Sequence, residues 1–319
     1  MHPAFSVIVF TTLSGIGFGL MALLGLGFGV PGAGFQWSAT IVAFAFAVIG
    51  LLSSVLHLRS KSRAILAFSQ WRSSWLSREG VCSVVTLGLF GIYSLVLLLM
   101  GTRLAALGFA AAVLAMVTVF TTSMIYAQLR TVPHWASWIT PAVFLGFSIA
   151  GGVLALSALL AISGAPSARM AAQWAMVALI VAWAAKAAWW RRAAETSLEA
   201  AGSGIGDATG LGVLGAVRPF EPPHTSPNYL MREMAFEVGR KRARALRRIA
   251  IACGAVAPFL LAGLAAYVGA AAPLLMLAVI LHLVGMLAER WLFFAEARHA
   301  VGSFYGIGQS VARPSSQAA

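Results

Sequence analysis

Eight runs of 20 to 26 nearly uninterrupted apolar residues divide the chain: 5–30, 37–57, 80–100, 104–127, 140–163, 171–190, 249–269 and 273–295. A bilayer core is crossed by about 20 helical residues, so each run is long enough to span it. Barrel strands are shorter and alternate apolar with polar positions, whereas these runs are continuously apolar. An isolated strand would leave its backbone unpaired in lipid, and helices are therefore the predicted state. The fold class is all-α: a polytopic membrane protein with eight transmembrane helices, arranged as two four-helix bundles.

Composition agrees. The chain is 60% hydrophobic and 10% charged, with a mean hydropathy of +0.88, against a charged fraction of about 25% in soluble domains. Too little polar surface exists to cover a soluble globule of this length. No Lys or Arg precedes the first run, its apolar stretch exceeds the usual signal-peptide core and no small-x-small site follows, so it is expected to remain in the mature protein. Residues 1–319 are read as a single integral membrane domain.

An even number of spans places both termini on one side, and the cations identify that side. Eighteen Lys and Arg lie on the terminal side, ten of them in the connector 191–248, while only Arg103 and Arg169 lie opposite; Lys186 and Arg290 fall inside spans. The positive-inside rule predicts cytoplasmic termini and cytoplasmic large loops. The formal net charge of +13 belongs to this asymmetry, and a nucleic-acid partner is not needed to explain it.

The connector 191–248 passes from a Gly-rich flexible stretch, AAGSGIGDATGLGVLGAVRP, through Pro-rich PFEPPHTSP to YLMREMAFEVGRKRARALRR. In that last part Leu230, Met234 and Val238 recur at i, i+4 beside Arg and Lys. This predicts an amphipathic helix at the membrane interface, held on anionic lipid. Gly15-x-x-x-Gly19 and Gly25-x-x-x-Gly29 predict close helix approach. SGIGFG is no nucleotide loop, because no strand precedes it.

Cys82 and Cys253 lie in different spans without cluster spacing, so neither a disulfide framework nor an iron–sulfur cluster is predicted. Of six histidines only His282 lies deep in a span. Facing His pairs for a transmembrane haem are missing, so no haem and no other metal is expected in this chain, and His282 reads as a hydrogen-bonded packing residue.

Glu79 is the lone carboxylate of the first 190 residues and closes the basic connector that begins at His57. Both sit at the same membrane border, His57 at the end of the second span and Glu79 in the first turn of the third. A structural account exists for each: a dipole-stabilised acid, a cation-tolerant helix end, and Arg63, Arg72 and Arg78 as interfacial anchors with Trp71 and Trp75 in the aromatic belt. A chemical account competes. A hydroquinone releases two protons with its two electrons, and a His titrating near neutrality beside a carboxylate suits their removal at a membrane edge.

The segment LHLRSKSRAILAFSQWRSSWLSRE resembles the corresponding connector of the membrane-anchor subunit of dimethyl sulfoxide reductase, within the wider family of polysulfide and nitrite reductase quinol-reactive anchors. MHPAFSVIVFTTLSGIGFGL, TVPHWASWITP, NYLMREM and ERWLFFAEARHAVGSFYG resemble that family too, so the likeness runs from end to end. It implies a bacterial inner-membrane anchor, a non-catalytic subunit of an oxidoreductase complex in anaerobic respiration. Such a subunit binds menaquinone or ubiquinone and exchanges electrons with an iron–sulfur subunit, which serves a molybdopterin catalytic subunit. It places quinol binding and oxidation on His57 and Glu79, with Arg72 as a weaker candidate for a quinone hydrogen bond or a partner contact. The longer connector between spans six and seven and the one-sided charge are closer to relatives that accompany sulfite-oxidising complexes. Two rival readings of the same chain are a proton-coupled transporter using His57 and Glu79, and a purely structural anchor without a quinone site.

Overall fold

The computed structural model describes residues 4–56, 61–196, 201–202, 204–215, 217, 220–221, 243–269, 271–297 and 299–301. His57, the expected interfacial helix around Leu230, Met234 and Val238, and the end of the last resemblance block lie outside the described residues.

Eight membrane-length helices are present among the described residues: α1 Phe5–Leu26, α2 Ala33–Val55, α3 Trp75–Met100, α4 Ala105–Ala127, α5 Ile139–Ile162, α6 Ala168–Glu195, α7 Ala243–Tyr267 and α8 Ala272–Ala295. The shortest has 22 residues and is about 33 Å long at 1.5 Å per residue, enough for the hydrocarbon core. Several boundaries differ from the apolar runs for local reasons. α1 stops at Leu26 because Gly27 takes the left-handed conformation (φ 89°). There Gly27 N–H bonds Leu24 O and Phe28 N–H bonds Leu23 O, closing the end of the helix. Arg103, one of the two cations on that side, donates from Nη2 to Leu26 O at 2.6 Å. α7 begins at Ala243, so Arg244, Arg247 and Arg248 are helical. Within the Gly-rich stretch, expected to be loop, a short helix forms over Ile205–Thr209, its start held by Gly204 N–H on Asp207 Oδ2 at 3.1 Å.

Helices α1–α4 pair as α1 with α2, α3 with α4 and α1 with α4; α5–α8 repeat the pattern, α5 with α6, α7 with α8 and α5 with α8. The two groups meet where α5 lies against α1 and α4. Burial follows: α1 and α5 are mostly enclosed, while α2, α3, α6 and α7 keep broad apolar faces outward for lipid. Lipid tails are as apolar as Leu, so packing rather than hydrophobic burial holds such helices together, and small residues at the seams permit it. A Cβ on Gly19 would collide with the Ser148 backbone of α5, and one on Gly25 with the Gly108 backbone of α4. Gly15, paired with Gly19 by the sequence spacing, faces open space instead.

Helix α7 contains a π-helical turn at Ala252–Val256, directly before Pro258. Proline has no N–H, so the carbonyl four residues back, Gly254 O, loses its helical donor. It is satisfied from outside: Trp183 Nε1–H of α6 donates at 3.1 Å and His282 Nδ1–H of α8 at 3.0 Å. His282 is 1% exposed and acts here as a hydrogen-bonded packing residue.

Gly19→Ala and Gly15→Ala should have opposite effects. The Gly19 variant, forced against the α5 backbone, should lower stability by about 1–3 kcal/mol, while the Gly15 variant should be neutral or raise it by about 0.5–1 kcal/mol through helix propensity. Thermal unfolding of the detergent-solubilised protein compares them, and equal loss in both would contradict the packing described.

Candidate functional site

The connector into α3 is folded around its own backbone. Ser74 caps α3, accepting from Ser77 N–H at 3.5 Å, and Ser77 Oγ–H donates back to Ala67 O. Arg78 lies 4.4 Å over the Trp75 ring and donates from Nε to Trp71 O (3.0 Å) and from Nη2 to Arg72 O (2.7 Å). The Arg72 side chain is exposed, 5.5 Å over Trp71. Among the described residues no hydrogen bond or ion pair joins it to Glu79.

Because α3 begins at Trp75, Glu79 is its fifth residue and not in the first turn as expected. A cap or dipole role is thereby removed, since that effect fades beyond the first turn. Glu79 is 5% exposed. Ser83, one turn on, donates to Glu79 Oε1 at 3.1 Å while also bonding the Glu79 carbonyl at 2.7 Å. Among the described residues Oε2 has no hydrogen-bond partner, which leaves an acceptor at the membrane rim on the terminal side.

The same rim is clamped across the bundle. Trp135, in the connector between α4 and α5, donates from Nε1 to Phe293 O at 2.9 Å and stacks on the Phe293 ring at 5.3 Å. Arg192 of α6 grips the carbonyls of Pro133 (3.1 Å) and Ala136 (2.9 Å). Trp189 Nε1–H reaches Thr140 Oγ1 at 3.1 Å. The blocks TVPHWASWITP and ERWLFFA, far apart in sequence, are therefore in contact here.

Below the clamp lies a charge cluster that sequence reasoning did not assemble. Lys186 Nζ sits 2.6 Å from Glu289 Oε1, and Arg290 Nε donates to Glu289 Oε2 at 2.6 Å. All three side chains are at most 3% exposed. Aromatic faces supply the remaining contacts: Lys186 Nζ is 3.9 Å from the Trp189 centroid and the Arg290 guanidinium 4.0 Å from Phe144. Two basic side chains share one carboxylate, a formal net charge of +1 inside the bundle. Tyr126 of α4, its ring stacked on Phe144 at 5.8 Å, lies within electrostatic reach of both Arg290 and Glu79. A signal for the cluster was present, because ionisable residues inside spans usually pair with one another, and Glu289 is the one carboxylate within the eight apolar runs.

The sequence profile of the DMSO reductase anchor subunit (DmsC) family matches residues 1–199. The C subunit of the sulfite dehydrogenase of Allochromatium vinosum is 31% identical to the chain, over 98% of this chain and 100% of that protein. No solved structure matches the chain.

Glu289→Gln should leave Lys186 and Arg290 as uncompensated buried cations. Breaking a buried pair in this way costs about 3–5 kcal/mol, read as a fall in the unfolding midpoint of the purified protein. Adding Lys186→Met to that variant should recover part of the loss; a further loss of similar size would show that the two residues do not form a pair.

Proposed function

This chain belongs to the DMSO reductase anchor subunit family, and from that premise we propose that it exchanges electrons between the quinone pool and an iron–sulfur partner subunit of a molybdoenzyme complex. As a member of that family it is a membrane anchor subunit of such a complex. The relative that spans its whole length is named for sulfite dehydrogenase, which supports a sulfite-linked catalytic partner. The charge asymmetry supports cytoplasmic termini, and the family supports a bacterial inner membrane.

One observation carries the quinone reading: a carboxylate held at the rim by a single hydroxyl, with its second oxygen unpaired among the described residues. Glu79 is largely buried, and a donor hydroxyl on a head group entering between helices would give its second oxygen a hydrogen bond. The surroundings fit such a guest, with apolar helix faces for an isoprenoid tail and Trp71, Trp75 and Phe68 beside the connector. The quinone–quinol couple, when bound, carries two electrons and two protons. Glu79 exchanges one proton with the head group at Oε2, accepting it in quinol oxidation and supplying it in quinone reduction, and Ser83 fixes the carboxylate rotamer from the other oxygen. His57, placed by sequence at the end of the second span, exchanges the other proton with water. Arg72, exposed beside the aromatic belt, serves a partner contact better than a hydrogen bond to the head group. The proton-coupled transporter gains no support from the π-helical turn of α7, since the carbonyl released there by Pro258, Gly254 O, is occupied by Trp183 and His282.

Glu79→Gln and His57→Gln should each lower quinone-linked turnover of the assembled complex by about 10²–10⁴-fold, the range for removing a general acid–base group. Turnover with a soluble electron acceptor or donor should persist, and the partner subunits should remain membrane-bound. Arg72→Gln should weaken retention of the partners more than quinone-linked turnover. Assays with both menaquinol and ubiquinol analogues cover either quinone type, and unchanged turnover in the Glu79/His57 double variant would remove the assignment.

A further inference from the structure

Where the two four-helix groups meet, a cavity with about 20 Å³ of free space lies between α1, α4, α5 and α8. It is lined by Thr11, Thr12, Ser14, Thr122, Ser148 and Arg290, with Met286 among its apolar neighbours. Arg290 is 3% exposed and Thr12 4%. The Arg290 side chain spends only Nε on Glu289; Nη1 and Nη2 have no hydrogen-bond partner, and neither does Thr12 Oγ1. Leaving several donors of a cation unpaired in the interior of a membrane protein is costly enough to require an occupant.

The lining decides which occupant. Thr11 donates to Val7 O (2.9 Å), Ser14 to Phe10 O (2.6 Å), Thr122 to Thr118 O (2.9 Å) and Ser148 to Gly15 O (2.6 Å). Their protons are committed to backbone carbonyls, so these hydroxyls turn lone pairs, not donors, toward the cavity. A halide would meet the guanidinium but also this ring of oxygens. Water both accepts from Arg290 and donates to the hydroxyl oxygens, and it needs only about 10–15 Å³ and two to four polar partners. A quinone head group is far larger than the space.

We propose that this cavity is a binding site for an ordered water molecule, held by the Arg290 guanidinium and the Thr12 hydroxyl, at the seam between the two halves of the bundle. The water completes the hydrogen bonding of Arg290 and links α8 to α1 without direct contact between the two side chains. It is independent of the quinone assignment.

X-ray radiolytic footprinting of the assembled complex in lipid nanodiscs tests this, since radicals formed from a bound water oxidise the side chain beside it. Met286 (3% exposed) lines the cavity, and Met21 (0%) is as deeply buried but does not. Met286 should be oxidised measurably faster than Met21, since one buried methionine has a bound water beside it and the other has none. Thr12→Val, nearly isosteric and breaking no hydrogen bond within the fold, should bring Met286 down toward the Met21 rate while quinone-linked turnover stays unchanged. Equal rates for the two methionines in the wild-type complex would overturn the proposal. So would Met286 oxidation that is absent in chloride and appears in gluconate, which would identify an anion in place of water.

Discussion

Hydrocarbon offers no hydrogen bonds, and each unpaired polar group placed in it costs several kcal/mol. Much of the internal organisation of this protein answers that demand. Serines and threonines along α1, α4 and α5 donate to carbonyls three or four residues back. The carbonyl released by Pro258 is taken by an indole and an imidazole from two other helices. Glu289 is shared between two cations that rest on aromatic faces. Such bonds join helices that the apolar surface alone would not orient, because lipid competes equally for that surface.

Against this background Glu79 stands apart. Its burial is close to that of the clustered groups, yet among the described residues it has one hydroxyl contact and no cation. The contrast separates two uses of charge within one bundle. In the second half, Lys186, Glu289 and Arg290 neutralise most of one another and cross-link α6 to α8. In the first half, an acid stands at the rim with no counter-ion among the described residues, and Tyr126 lies between the two environments. A charge that serves only architecture would be paired, so the unpaired one is the better candidate for chemistry.

Much of the fold was legible in the sequence, since eight long apolar runs leave few alternatives. Helix ends were less so, because hydropathy ignores capping. Ser74 and the Ser77 bond to Ala67 draw the start of α3 out into a polar segment, and Gly27 cuts α1 short of its apolar run. The spacing of glycines tells that helices approach, not which glycine needs the space: a Cβ on Gly19 would meet the α5 backbone, whereas one on Gly15 would meet nothing. Glu79 stood out through its isolation. Lys186, Glu289 and Tyr126 did not, because their significance lies in contacts between helices far apart in the chain.

The clamp formed by Trp135, Arg192 and Phe293 has a mechanical consequence. It ties the connector between α4 and α5 to the ends of α6 and α8 by hydrogen bonds to backbone, the part of a chain that yields least. Helices in a bilayer can tilt and slide past one another as the lipid around them changes thickness. Three chain segments cross-linked through their backbones at one rim must make such movements together, so the surface they present there keeps its shape.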